Sequence, residues 1–170
     1  MSIKVIDNFL PKELHKQIKD FLLGKQVPWY YRHTDVTPAT NNKNGWFSFC
    51  YYNNQKPDHP KYYEHITPIW KLLNLDESEE VGITQVRVNL TFRDKDCVES
   101  GFHTDKDKGK TAILYLTTCN GKTVFKKNNE EISLDNIDNR IVIFDSNIQH
   151  KAIYQTDVHR RILINFNYYC

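Results

Sequence analysis

The sequence predicts a mainly β fold, a barrel or double-sheet jelly roll, with supporting α-helices ahead of it. Three observations carry this. From residue 81 onward short alternating strands follow one another, punctuated by turn residues. Helical periodicity is confined to the first 80 residues. At 170 residues, 39% hydrophobic and 13% aromatic, the chain is long enough for one sizeable core. One domain over 1–170 is therefore expected, with 1–80 supplying supporting helices and strands and 81–170 the β core.

Taken in order, Ile3–Val5 predicts a short strand. Pro11 stands where a first helical turn begins, and Leu14, Ile18, Phe21 and Leu22 recur at helical spacing up to Leu23. Gly24 is expected to end that helix as a C-terminal glycine. Trp29–Tyr31 and Trp46–Tyr51 read as strands joined by a polar loop over Thr34–Gly45. A second helix is expected from about Lys61 to Leu73, with Tyr62, His65, Ile69 and Leu72 on one face. The β core then begins. Ile83–Phe92 alternates strictly, as do Thr111–Thr117, Lys122–Phe125, Arg140–Phe144 and Arg161–Tyr168. Turns are expected at Gly101, Gly109, Asn120-Gly121, Asn128-Asn129 and Asn136–Asn139. No internal repeat or linker interrupts the chain.

Composition narrows the function. Net charge is +2, and the isoelectric point is about 8.3 with a mean hydropathy of -0.64. Near-neutrality neither demands nor excludes nucleic acid. No apolar run approaches the roughly 20 residues of a spanning helix, and the N-terminus has no signal-peptide core, so a cytoplasmic protein without a membrane partner is expected. Cys50, Cys97, Cys119 and Cys170 are scattered with no CxxC pair, which favours reduced thiols over a disulfide scaffold.

The chemistry is concentrated in a few positions. His103 and Asp105 are two apart, so on an extended backbone they project to one side. His150 follows an apolar strand, Ile141–Asp145, 47 residues later. Two imidazoles and one carboxylate make a facial triad that leaves coordination positions open, the donor set of non-haem Fe(II). HxD by itself is common, and His15, His33, His59 and His65 are expected to be ordinary surface or core histidines. On the last strand Arg161, Leu163, Asn165 and Asn167 share one face, and Arg160, Ile162, Ile164 and Phe166 the other. The apolar face should pack against the helices. The mixed face should line the interior, where a buried arginine needs an anionic partner, either a bound dicarboxylate or a carboxylate of the protein. Arg160 is the reserve candidate. Tyr115 can hydrogen-bond the same anion or serve as a core tyrosine. Arg87, Asn89 and Thr91 form a polar strand face that either contacts co-substrate or substrate or faces solvent.

These segments together resemble the catalytic domain of the 2-oxoglutarate/Fe(II)-dependent dioxygenases, in the prolyl-4-hydroxylase-like branch. The resemblance is carried by Gly101-Phe102-His103-Thr104-Asp105, Ile113–Thr117, Asn120–Phe125, Asn139–Asp145 and His150 through Arg161–Phe166, with Met1–Leu23 similar to that branch's strand–helix opening. It covers Thr84–Tyr169 strongly and the remainder loosely, and it extends to small oxygenases encoded by bacteriophages, which would place the protein in a host cytoplasm. It implies a double-stranded β-helix. It implies Fe(II) held by His103, Asp105 and His150, with 2-oxoglutarate as co-substrate, its 5-carboxylate paired with Arg161 and hydrogen-bonded by Tyr115, and Asn165 nearby. O2 completes the set, ascorbate being a candidate reductant. The implied reaction hydroxylates a substrate C–H bond and releases succinate and CO2. The His150–Arg161 spacing is slightly longer than the family's usual one, which keeps Arg160 in contention.

A peptide or protein substrate, with proline as the candidate residue, follows from the branch. The aromatic segments Trp29–Tyr31 and Trp46–Tyr52 are candidates for a substrate groove, with core packing the expected role of most rings. Alternatives are a nucleobase-modifying oxygenase, a non-redox cupin-like metal domain and an inactive binding domain. Cupins usually show HxH followed by Glu, whereas this chain has HxD and a distal Arg. Cys119 lacks a neighbouring base in sequence, and no Gly-rich phosphate loop is present.

Overall fold

The alternation of Arg160–Tyr168 decides the architecture. Ile162, Ile164 and Phe166 are 3%, 0% and 1% exposed on one face, and Arg161, Asn165 and Asn167 are 2%, 5% and 3% exposed on the other. A strand buried on both sides must lie inside a sheet covered on both faces. The computed structural model describes residues 2–33, 45–54, 56–73, 82–127 and 130–169. Its elements are β1 (Lys4–Ile6), α1 (Lys12–Leu23), β2 (Tyr30–Arg32), β3 (Trp46–Asn53), β4 (Lys56–Pro57), α2 (Pro60–Tyr63), α3 (Thr67–Leu72), β5 (Ile83–Phe92), β6 (Lys110–Tyr115), β7 (Cys119–Lys127), β8 (Glu130–Asn136), β9 (Ile141–Asp145), β10 (His150–Ile153) and β11 (Arg160–Tyr168).

Antiparallel pairing arranges them into two sheets. The major sheet has the order β1-β9-β6-β11-β5-β3-β2, with β4 beside β3, and the minor sheet has the order β10-β7-β8. This is the double-sheet jelly roll expected from the strand spacing. The first 80 residues supply both edges of the major sheet, since β1 pairs with β9 and β3 pairs with β5.

One face of the major sheet carries the helices. Ile18 and Leu22 of α1, with Ile66 and Ile69, join Ile162, Ile164, Phe166, Val86 and Val88 in the larger core. Burying each such side chain is worth roughly 1.5–3 kcal/mol. The other face meets the minor sheet. There Ile113, Tyr115, Val142 and Phe144 pack against Phe125, with the Phe125 and Phe144 rings edge-on at 4.9 Å. Among the described residues no helix is long and apolar enough to cross a membrane.

Several elements differ from expectation. The single helix over Lys61–Leu73 is two short ones, α2 and α3. Pro68 has no N–H to continue a helix from the preceding turn but fits the first turn of a new one, so a separate helix starts at Thr67. The break buries Ile66 and leaves Leu72 39% exposed. Gly24 ends α1 with extended backbone, φ -74 and ψ 179, instead of a left-handed cap. Close approach explains the glycine, because a Cβ would meet the carbonyls of Asp20 and Phe21 at 3.1 Å. Asn120-Gly121 lies inside β7 at a register shift, not in a turn. Glu130–Asn136 is a strand that no alternation announced, its residues being mostly exposed. The Thr34–Gly45 loop, Gly45 apart, and the Asn128-Asn129 turn lie outside the described residues.

Candidate metal centre

The metal-binding candidates come from three different places in the chain. The Gly101–Asp105 segment runs alongside β10, and His103 and His150 exchange both backbone hydrogen bonds, N to O at 3.0 and 2.9 Å. Paired in this way, two residues present their side chains on the same side. Their ring centroids are 4.5 Å apart. Asp105, two residues on from His103, is anchored by its own N–H to the Ser146 carbonyl at 3.0 Å. One ligand atom from each of His103, Asp105 and His150 lies within 4.8 Å of the others.

The surroundings fix the donor atoms. Nδ1 of His103 lies 3.1 Å from the Gly101 carbonyl, and Nδ1 of His150 lies 3.0 Å from the Ile148 carbonyl. A carbonyl only accepts, so each Nδ1 carries the proton and each Nε2 presents a lone pair. His150 Nε2 is 3.9 Å from Asp105 Oδ2. Burial pulls the His150 pKa below its usual value, opposed by the Asp105 charge, which favours the neutral imidazole a metal requires. Asp105 Oδ2 accepts from Thr111 Oγ1 at 2.9 Å and from Asn165 Nδ2 at 3.3 Å. Two nitrogens and one carboxylate oxygen, each oriented by a second partner, are a donor set that would hold Fe(II) and leave positions open.

Arg161 lies further along β11 on the same face. Its Nε and Nη2 donate to Asn136 Oδ1 at 3.1 and 2.8 Å, and Nη1 donates to the Ile153 carbonyl at 3.4 Å. Both acceptors are neutral. No carboxylate among the described residues pairs with it, so the alternative of a protein carboxylate partner is not realised. Burial pulls its pKa down, while Tyr115, Cys119 and Tyr154 act in the opposite direction. A fully buried guanidinium without a counter-charge fits an anionic ligand. Arg160 is exposed on the opposite face, where it lines an outer groove with Leu22, Leu23 and Ile162.

The remaining candidates are placed as follows. The Tyr115 hydroxyl is fully buried beside Arg161 and donates to Thr123 Oγ1 at 2.7 Å. Asn165 is four residues from Arg161, about 13 Å along a strand, and it touches Asp105 in place of the arginine end. Asn89 Oδ1 is buried with no hydrogen-bond partner. Nothing local in the sequence marks Thr111, Asn136 or Thr123 as site residues. Thr111 sits on an alternating strand after HxD, but nothing local distinguishes it from a structural threonine. His15 bonds Asp138 at 2.9 Å, while His59 and His65 pack among Phe49 and Phe21.

No family model and no curated protein matches the chain. Solved structures do. An oxidoreductase of the 2OG-Fe(II) oxygenase family from Burkholderia pseudomallei aligns over 98% of this chain and 84% of its own, with a TM-score of 0.76 at 10% identity. A prolyl hydroxylase from Trichoplax adhaerens, in complex with a hypoxia inducible factor oxygen degradation domain peptide fragment, covers 98% and 83% with a TM-score of 0.70 at 16% identity. The non-heme alpha ketoglutarate dependent epimerase SnoN from nogalamycin biosynthesis covers 98% and 78%, with a TM-score of 0.70 at 10% identity. The fold is that of the 2OG-Fe(II) oxygenases, prolyl hydroxylases among them.

Proposed function

We propose that this protein is an Fe(II)- and 2-oxoglutarate-dependent dioxygenase that hydroxylates a C–H bond of a second substrate. The observation that carries the reading is Arg161, buried without a counter-charge on the same sheet face as a His-Asp-His cluster. Nε2 of His103, Nε2 of His150 and a carboxylate oxygen of Asp105 would hold the iron. Bound iron supplies O2 activation coupled to decarboxylation of 2-oxoglutarate to succinate and CO2.

The protein's own part is orientation and exclusion. Arg161 pairs the 5-carboxylate, a two-pronged interaction that fixes which end of the co-substrate points at the metal. The Tyr115 hydroxyl, now bonded to Thr123, can turn to the same carboxylate. Thr111 and Asn165 hold the Asp105 carboxylate in one orientation. Ile113, Phe125, Phe144 and Ile148 keep water from the space between the sheets. A peptide substrate, with proline as the candidate residue, is favoured by the prolyl hydroxylase likeness. SnoN shows that one such fold hosts an epimerase as well, so fold alone does not choose the outcome.

The test is anaerobic titration with Fe(II) and then 2-oxoglutarate, watching for a visible metal-to-ligand charge-transfer band. The band should appear in the wild type and in Arg160→Ala, and should vanish at modest co-substrate in Arg161→Ala. Iron binding without a band would overturn the assignment in favour of a non-redox metal domain.

A further inference from the structure

Strand β5 carries a second arginine on the same face as the site, and the reaction outlined above leaves it unused. Arg87 pairs in register with Asn165, whose side chain touches Asp105. It therefore stands one strand, about 4.8 Å, from the residue that orients the metal ligand. Its Nε is buried and has no hydrogen-bond partner. The guanidinium lies over the Trp46 ring at 5.3 Å, which holds it in place without neutralising it. No carboxylate among the described residues forms an ion pair with it.

The neighbours sharpen the point. Two positions along β5, Asn89 Oδ1 is also buried and unpartnered. Asn89 pairs with Ser48 of β3, and Ser48 Oγ accepts from Nε of Arg32 at 2.9 Å. Arg32 pairs with Trp46 across β2 and β3, so its side chain is on the Arg87 side of the sheet. Burial pulls the Arg87 pKa down, Cys50 and Asp105 act in the opposite direction, and Arg32 adds to the lowering. Two cations share one sheet face with a buried donor and a buried acceptor unsatisfied. A bound group with both an oxyanion and a polar hydrogen would satisfy Arg87 Nε and Asn89 Oδ1, since unpaired buried polar atoms are costly, and Arg32, exposed on the edge strand, adds a second charge.

We propose that the Arg87, Arg32 and Asn89 face is the primary-substrate subsite and that the substrate carries an oxyanion, a carboxylate or a phosphate, close to the carbon that is oxidised. This rests on the dioxygenase reading of the adjacent metal centre, and within it points to a free acid, a chain-terminal residue or a phosphate ester in place of an internal peptidyl proline, which carries no oxyanion beside the oxidised carbon. Arg87 forks onto the oxyanion, Arg32 supplies a second charge from the sheet edge, and Asn89 Oδ1 accepts from an N–H or O–H of the same molecule. The substrate is thereby held from a different strand than the one that holds the co-substrate through Arg161.

The test uses the whole protein loaded with Mn(II) and 2-oxoglutarate under anaerobic conditions. The probes are N-acetylglycine, its neutral amide N-acetylglycinamide, and methyl phosphate. Relaxation of each probe's protons by Mn(II) reports binding near the metal. N-acetylglycine, methyl phosphate or both should show saturable relaxation that the neutral amide lacks, and which of the two binds tighter identifies the oxyanion. Arg87→Gln should weaken that binding about tenfold or more, as expected for losing a charged hydrogen bond, and Arg87→Lys should restore part of it. The affinity for 2-oxoglutarate, measured by calorimetry, should stay within about twofold of wild type. Thermal melting of each variant checks that the fold is intact. No saturable relaxation from either anion, or equal relaxation in Arg87→Gln, overturns the proposal. A loss confined to 2-oxoglutarate affinity also overturns it, by assigning Arg87 to the co-substrate. Failure of the wild type to bind 2-oxoglutarate at all would instead overturn the dioxygenase reading.

Discussion

Asn136 holds Arg161 by one oxygen, with Oδ1 accepting from both Nε and Nη2. Its own Nδ2 donates to the Thr117 carbonyl at 3.2 Å, which fixes the amide's orientation. Asn136 therefore positions the arginine while leaving its charge uncancelled. Asn136→Ala strands a buried guanidinium and should cost about 1–3 kcal/mol of stability, read by urea unfolding, together with weaker 2-oxoglutarate binding. Asn136→Asp separates the two effects. The new carboxylate pairs Arg161 but loses the hydrogen bond to the Thr117 carbonyl, so its stability loss should not exceed that of Asn136→Ala, while it cancels the charge that Arg161 offers a ligand and should weaken 2-oxoglutarate binding about tenfold or more. Unchanged co-substrate affinity in Asn136→Asp would mean that Arg161 does not serve a dicarboxylate.

The candidate metal ligands admit a graded test. His103→Ala and Asp105→Ala should abolish stoichiometric Fe(II) binding in calorimetry while the circular dichroism spectrum persists, because both side chains lie at the edge of the inter-sheet space. Thr111→Val removes the hydroxyl on Asp105 Oδ2 and keeps the shape. Lost outer partners of a ligand typically cost 10–100-fold in metal affinity, and that range is expected here. Wild-type iron affinity in both alanine variants would reject the triad.

How much of this was legible in the sequence follows from how local each signal is. Arg161 and Arg160 were separable because a strand has period two, and Ile162, Ile164 and Phe166 declare which face is core. His103 and Asp105 were readable for the same reason. Asn136 was not. Its strand β8 is mostly exposed, so no apolar alternation marks it, and the polar Asn136–Asn139 stretch reads as a turn. The α2–α3 break was signalled by Pro68, but the apolar spacing across it concealed the restart. Arg87 was visible as part of a polar face. Only pairing with Asn165 shows that this face looks toward the metal centre instead of solvent.

Gly109 links the fold to the candidate metal centre. It has φ +97, and a Cβ there would sit 2.5 Å from the Tyr168 carbonyl oxygen. Its own carbonyl accepts from Ser146 N–H at 3.0 Å, and the Ser146 carbonyl accepts from Asp105 N–H at 3.0 Å. Gly109→Ala therefore both strains the backbone and pushes on the segment that anchors a ligand. Left-handed strain alone costs about 1–2 kcal/mol, and the clash adds to it, so the urea midpoint should fall. Iron affinity should fall as well, although Gly109 is no ligand. Val5→Thr on edge strand β1, at a side chain 41% exposed, is the control and should leave both unchanged. A destabilised Gly109→Ala that still binds Fe(II) like the wild type would show that the Ser146 relay does not set the position of Asp105.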